Sequence, residues 1–294
     1  MKLLIRNIIF FVLICLLLLT LLCVVPSCII RKNASFAIQE NTTSVIVGHS
    51  HSECSLNDSL LVNCENFSRS GEAYLYTLCK VENIIKQNPN VQTVFVELTN
   101  NQFMDVMKVW LYSESYLQYH YATFFPFISL KNHLSLLCNA PKSYLASLPI
   151  VIKNMILIIL DQNYEYAYQY GGFKAGNNSM NEKYEQSEGN VDFYAGNYEF
   201  LKQIVDACKK RNVRIAFLRS PQMSTYKGHY NEKQYKSIIE KDYPEIPYYD
   251  FDTLYSDMSL FSDFQHLNIF GANAFSKMFN DSVLLKNKFD SYEK

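Results

Sequence analysis

Residues 7–30 form an uncharged and overwhelmingly apolar run, long enough to cross a bilayer as a helix. Beyond a polar stretch the pattern changes to short apolar segments separated by amphipathic ones. Residues 43–47, a β-branched run closed by Gly48, predict a buried strand. Residues 52–60 predict a short helix and 61–67 a second strand. Ser70 is placed to cap a helix in which Tyr74, Leu75, Leu78, Val81, Ile84 and Ile85 share a face, and Asn88-Pro89 ends it. Residues 91–98 predict a third strand. This alternation of strand and helix argues for a mainly parallel sheet with helices on both faces.

The middle of the chain breaks the pattern. Residues 102–170 are rich in aromatic and apolar side chains and predict helix. Within them 148–160 is very apolar, but it is too short to span a bilayer and contains Lys153. It suits either a core helix or a lid facing the membrane or a partner. Residues 171–196 are polar, with several Gly and Asn, and predict a long loop of the kind that often carries function. The α/β pattern then resumes: a helix through Tyr198, Leu201, Ile204, Val205 and Cys208, a strand at 213–218, a helix at 231–241, a strand at 248–251 and a last helix at 271–285. The organisation expected is an anchor at 1–32, a linker at 33–42 and an α/β domain at 43–294 with an insertion at 102–196.

A formal net charge of −1 gives no basic surplus for nucleic acid. Lys2 and Arg6 precede the apolar run and Arg31 and Lys32 follow it. With the free amino terminus, this balance and the resemblance to the start of a secretory signal place the N-terminus in the cytoplasm and the domain outside it. The stretch ending at Cys28 loosely resembles a lipoprotein processing site. The run continuing through Ile29 and Ile30 favours a retained anchor in contact with membrane lipid. Cys15, Cys23 and Cys28 lie in this segment. The other five cysteines are odd in number and irregularly spaced, so they predict neither a disulfide framework nor a structural zinc site.

Sites in open parallel sheets form beyond the carboxyl ends of the strands. Gly48-His49-Ser50 follows the first strand, Asn66 through Gly71 the second, and Thr99-Asn100-Asn101 the third. Asp263-Phe264-Gln265-His266 follows the last. A serine hydroxyl needs a base to become a nucleophile. His266 is the base available, and Asp263, three residues earlier, can reach back to orient it. Each piece also has a plain reading: Ser50 as a helix cap, Gly71 as a turn residue, Asn100 as an ordinary loop amide. The order of the four, each beyond its own strand, favours the chemical one. His49 and His51 flank Ser50, but no carboxylate accompanies them at a metal-ligand spacing, so no metal is expected.

In this order the motifs resemble those of the SGNH (GDSL-like) hydrolase and acyltransferase superfamily. Gly48-His49-Ser50 matches its nucleophile motif, Asn66 to Gly71 its glycine motif, Asn100 its asparagine, and Asp263 with His266 its C-terminal pair. The chain departs from the pattern where His49 replaces an Asp, Ser68 a Gly and Asn101 an Asp. The resemblance implies a three-layer, flavodoxin-like α/β fold. It implies catalysis by Ser50, Asp263 and His266, and an oxyanion hole from the Ser50 and Gly71 backbone N–H groups and the Asn100 amide. An esterase or O-acyltransferase acting on an acylated carbohydrate or cell-envelope polymer would follow, with no cofactor. The alternative is a non-catalytic assembly partner of a membrane-bound O-acyltransferase.

Overall fold

The computed structural model describes residues 1–178 and 193–286. In chain order the principal elements are α1 (Lys2–Asn33), β1 (Ser44–Val47), α2 (Ser50–Ser55), β2 (Cys64–Asn66), α3 (Tyr74–Gln87), β3 (Thr93–Glu97), α4 (Val106–Tyr112), α5 (Leu130–Asn139), α6 (Pro141–Asp161), α7 (Ala195–Lys210), β4 (Arg214–Arg219), α8 (Glu232–Asp242), β5 (Tyr248–Asp250) and α9 (Ile269–Phe279). They fall into two compact units, 36–111 with 166–294, and 1–35 with 112–165.

The first of these is an α/β unit around a five-stranded, all-parallel sheet of order β2-β1-β3-β4-β5. Ser44 pairs with Cys64 on one side and Thr93 on the other, and Val96 pairs with Phe217. The inner strands read as unbroken apolar runs because both sheet faces are covered. Ile46, Phe95 and Leu218 pack with Phe275 and Phe279 of α9, while α3 and α7 pack against each other. Chain direction across the sheet switches between β1 and β3, and ligand crevices open beyond the strand ends at such a point.

Two local expectations are corrected. Ser70 does not cap α3: the helix starts after Ala73 with no side-chain cap, and the Ser70 hydroxyl instead donates to the Glu53 carboxylate. The stretch expected as a linker is fixed in place from residue 36 onward. Phe36 is fully buried, its N–H donates to Gln87 Oε1 and that of Ile38 to Asn88 Oδ1.

The second unit is helical. α1 is apolar enough and long enough to cross a membrane, and Ser27 and Ile30 near its end are its buried residues. Ser27 Oγ meets Met155 Sδ of α6 at 3.4 Å. The Arg31 guanidinium donates to the Pro126 carbonyl. α6 buries Ser147, Leu148, Val151, Met155 and Ile158, the side spaced by three and four residues. The inserted helical unit is narrower than the 102–196 expected. Phe103, Met107 and Leu111 are fully buried in the α/β unit, so 102–111 belong there by packing. Of the loop expected at 171–196, residues 179–192 lie outside the described residues.

Candidate active site

β1 ends at Val47, and the next residue must pass close to β3. A Cβ on Gly48 would lie 2.3 Å from the Glu97 Cβ, so only glycine fits. His49, in extended conformation, stands at the cap position of α2 and Ser50 is the first helical residue. The cap reading of Ser50 therefore fails, because its hydroxyl is directed elsewhere: Ser50 Oγ lies 2.8 Å from His266 Nε2.

The loop carrying His266 is fixed at both ends. Ser262 N donates to the His266 carbonyl at 2.9 Å. Asn268 caps α9 by accepting from Phe270 N and Gly271 N. Between them Asp263 Oδ1 accepts from the backbone N–H of Gln265 (2.8 Å) and of His266 (2.9 Å). Both Asp263 oxygens also lie 2.9 Å from His266 Nδ1. Burial pushes the Asp263 carboxyl up. The His266 imidazole and the two backbone donors outweigh that and hold it below the usual carboxylate range. An ionised Asp263 fixes the proton on Nδ1, leaving the Nε2 lone pair to accept from the serine O–H. The aspartate and histidine side chains are each about a fifth exposed, enough for a small group to reach them.

A cavity of about 360 Å³ opens over this chain of hydrogen bonds, at the small end of ligand pockets. Ser50, Glu53, Ser70, Lys174, Asn177 and His266 are among its lining residues. The segment around Lys174 is tied along the edge of the site, since Lys174 N donates to the Glu53 carbonyl and Gly172 N to the Ser68 carbonyl. Sequence reasoning missed Glu53 and Lys174. Glu53 lies one helical turn beyond Ser50, a spacing that places it on the same face. Lys174 lies in the polar loop, where no periodicity singles out a residue.

The remaining expected residues are placed differently. Asn100 is buried, and its amide donates to the Gly228 carbonyl (2.9 Å) and to Asn231 Oδ1 (3.1 Å), so it is committed away from Ser50. Asn101 accepts from the Thr99 hydroxyl. Gly71 takes φ 70° in the turn before α3, a conformation glycine adopts without penalty, and does not line the cavity. Asn66 is a brace: its amide donates to the Ser52 and Leu56 carbonyls and its Oδ1 accepts from Ser68 N, holding α2 against the end of β2.

Behind Ser50 lies a buried polar wall. His49, His51 and Glu97 bring possible ligand atoms within 4.8 Å of one another, so the fold supplies a carboxylate that sequence spacing could not show. Glu97 already accepts from Ser220 N (3.0 Å) and Ser220 Oγ (2.7 Å), and His49 Nε2 is bonded to Thr99 Oγ1 (3.1 Å). A cation would have to displace these partners, and His51 Nδ1 alone lacks one. Burial, with help from His266, lowers His49 to about 3. Burial likewise holds His51 well below its usual value, and raises Glu97 to about 7. The two imidazoles are thus uncharged near neutrality, where the Glu97 carboxyl stands at the midpoint of its titration. His51 packs edge-on against the His266 ring, centroids 5.2 Å apart.

A protein family whose description assigns no function matches residues 178–288, a span that is less than half of the chain and takes in Asp263 and His266 but not Ser50. No curated protein matches the sequence.

Proposed function

We propose that the chain is a membrane-anchored, extracytoplasmic serine esterase or O-acyltransferase of the SGNH type, with the helices of its α/β unit layered on both faces of the sheet. The observation that carries this reading is the continuous chain Ser50 Oγ–His266 Nε2, His266 Nδ1–Asp263, formed at the topological switch point and open to a cavity. The Ser50 oxygen attacks an ester carbonyl while His266 Nε2 takes its proton. The carbonyl π pair moves onto oxygen, and the tetrahedral adduct collapses by expelling the alcohol oxygen, which takes the proton back from His266. Water or a sugar hydroxyl then attacks the acyl-Ser50 ester by the same route in reverse. The Ser50 N–H lies in the first turn of α2, where backbone amides have no intrahelical acceptor, and is the oxyanion donor this reading retains. The polar lining, with Glu53, Ser70 and Lys174, suits a hydroxylated acceptor such as the carbohydrate of a cell-envelope polymer.

The commitment of the Asn100 amide elsewhere favours a second reading, a non-catalytic partner of a membrane-bound O-acyltransferase. One experiment separates the two. The full chain in detergent, treated with a fluorophosphonate, should become labelled, and Ser50→Ala should not. A folded wild-type chain that takes no label would overturn the catalytic reading.

A further inference from the structure

The helical unit offers apolar side chains to its surroundings. Leu130 and Leu134 of α5 and Leu145, Ile156, Leu157 and Leu160 of α6 are all exposed, Leu130 and Leu160 by 70% or more. What covers them follows from the relation of α6 to α1. The Tyr144 phenol lies within electrostatic reach of Cys23, Met155 touches Ser27, and the Tyr164 carbonyl accepts from Ser35 N. Contacts advance together along both helices, so α6 runs in the same sense as α1. Its first turns therefore lie on the Cys23 side of Ser27, below the end of the apolar run at Ile30.

Two neighbouring helices of the same sense cannot be successive crossings by one chain unless another segment crosses back. Among the described residues only α1 and α6 are long and apolar enough to cross, so none does. From this geometry we infer that α5 and α6 are seated in the lipid interface, in the leaflet where α1 emerges, with their exposed leucines and isoleucine against acyl chains. Lys153, exposed on α6 and two residues from Met155, carries its ammonium group up to the lipid phosphates on a flexible stem. The helical unit is then a second membrane contact, one that restrains rotation about a single-helix anchor. This inference rests on the reading of α1 as a membrane span.

The test uses the full chain in phosphatidylcholine vesicles. Trp110, the single tryptophan, is replaced by Phe, which keeps an aromatic edge towards His49. A new tryptophan is then introduced as Leu134→Trp, Leu157→Trp or, as a reference in α1, Leu13→Trp. Lipids with brominated acyl chains should quench all three by more than about twofold. If Leu13→Trp is quenched while Leu134→Trp and Leu157→Trp emit as water-exposed indoles, the inference is overturned and the anchor stands. Blue-shifted but unquenched emission at the two insertion sites means that protein covers the patch, and also overturns it. An unquenched Leu13→Trp removes the anchor reading, and the inference with it.

Discussion

On the proposed reading Ser50 and His266 act as a unit, so their variants should not add. Ser50→Ala and His266→Ala should each abolish nearly all ester turnover, and the double variant should be little worse than either. Asp263→Asn should cost less than either, because Asp263 orients the imidazole and never carries the transferred proton. Initial rates with a chromogenic ester check both statements, provided each variant keeps its far-ultraviolet dichroism. The wall behind the serine sets a pH dependence of stability. His49 and His51 stay neutral in the fold but titrate near 6.5 when unfolded, so their contribution is complete above that value and is lost as pH falls below it. Glu97 acts in the opposite direction: its raised value gives stability below the unfolded 4.5 that is lost as pH rises through about 7. Between about pH 7 and pH 5 the single carboxylate recovers about 2 kcal/mol, roughly half of what the two imidazoles lose. Glu97→Gln removes the counterweight, and the variant should lose about 4 kcal/mol over that interval, roughly 2 for each imidazole. Unfolding by urea at the two pH values measures it, and an equal loss in wild type and variant would refute the assignment. At this scale the hydrogen-bonded chain of Ser50, His266 and Asp263 was legible because Asp263 and His266 are close in sequence and Ser50 directly follows a strand. Asn100 was misread because its partners Gly228 and Asn231 come from a distant segment that no motif connects to it.

The elements that position the site are held by buried charges. Lys80 of α3 bonds Glu72 at 2.6 Å with both side chains almost inaccessible, and its ammonium also donates to the Phe67 carbonyl at 2.7 Å. This ties α3 to the turn that follows β2. Removing one partner leaves the other charge buried and alone, so Glu72→Ala should destabilise by about 3–5 kcal/mol, whereas a paired apolar replacement of Glu72 and Lys80 should cost less. Denaturation midpoints of the single and double variants test this. Arg219, fully buried at the end of β4, does the same for α8 and the segment after β5 through Glu232 (2.7 Å) and Asp252 (3.2 Å). The strands and long helices were legible as apolar runs and faces. Termini were less so: α2 begins at Ser50 rather than 52, because His49 takes an extended conformation and its Nδ1 accepts from His51 N (3.5 Å), a capping role outside the usual Ser, Thr, Asp and Asn. The boundaries of the insertion were also hidden, since Phe103 and Met107 are as apolar as the helices beyond them and only packing assigns them to the α/β unit.

For the whole molecule, the apolar helix and the basic residues before it predict an orientation. A reporter that is active only outside the cytoplasm, fused after Lys294, should be active, and a reproducibly cytoplasmic C-terminus would reverse the topology. The α/β class was legible because strand and helix patterns alternate at both ends of the chain. The division into two units was not, because 1–35 and 112–165 meet only in three dimensions. On the proposed reading, the span between Ser50 and His266 also has a consequence in time. Asp263 and His266 are three residues apart, whereas Ser50 and His266 are separated by 216. At about 5–20 residues per second of synthesis, roughly ten to forty seconds pass between the addition of the serine and of its base. Throughout that interval the growing chain carries an ordinary hydroxyl and no means of activating it. On the proposed reading, a nascent or truncated product that lacks His266 cannot activate Ser50, and reactivity begins only after the base has joined the fold.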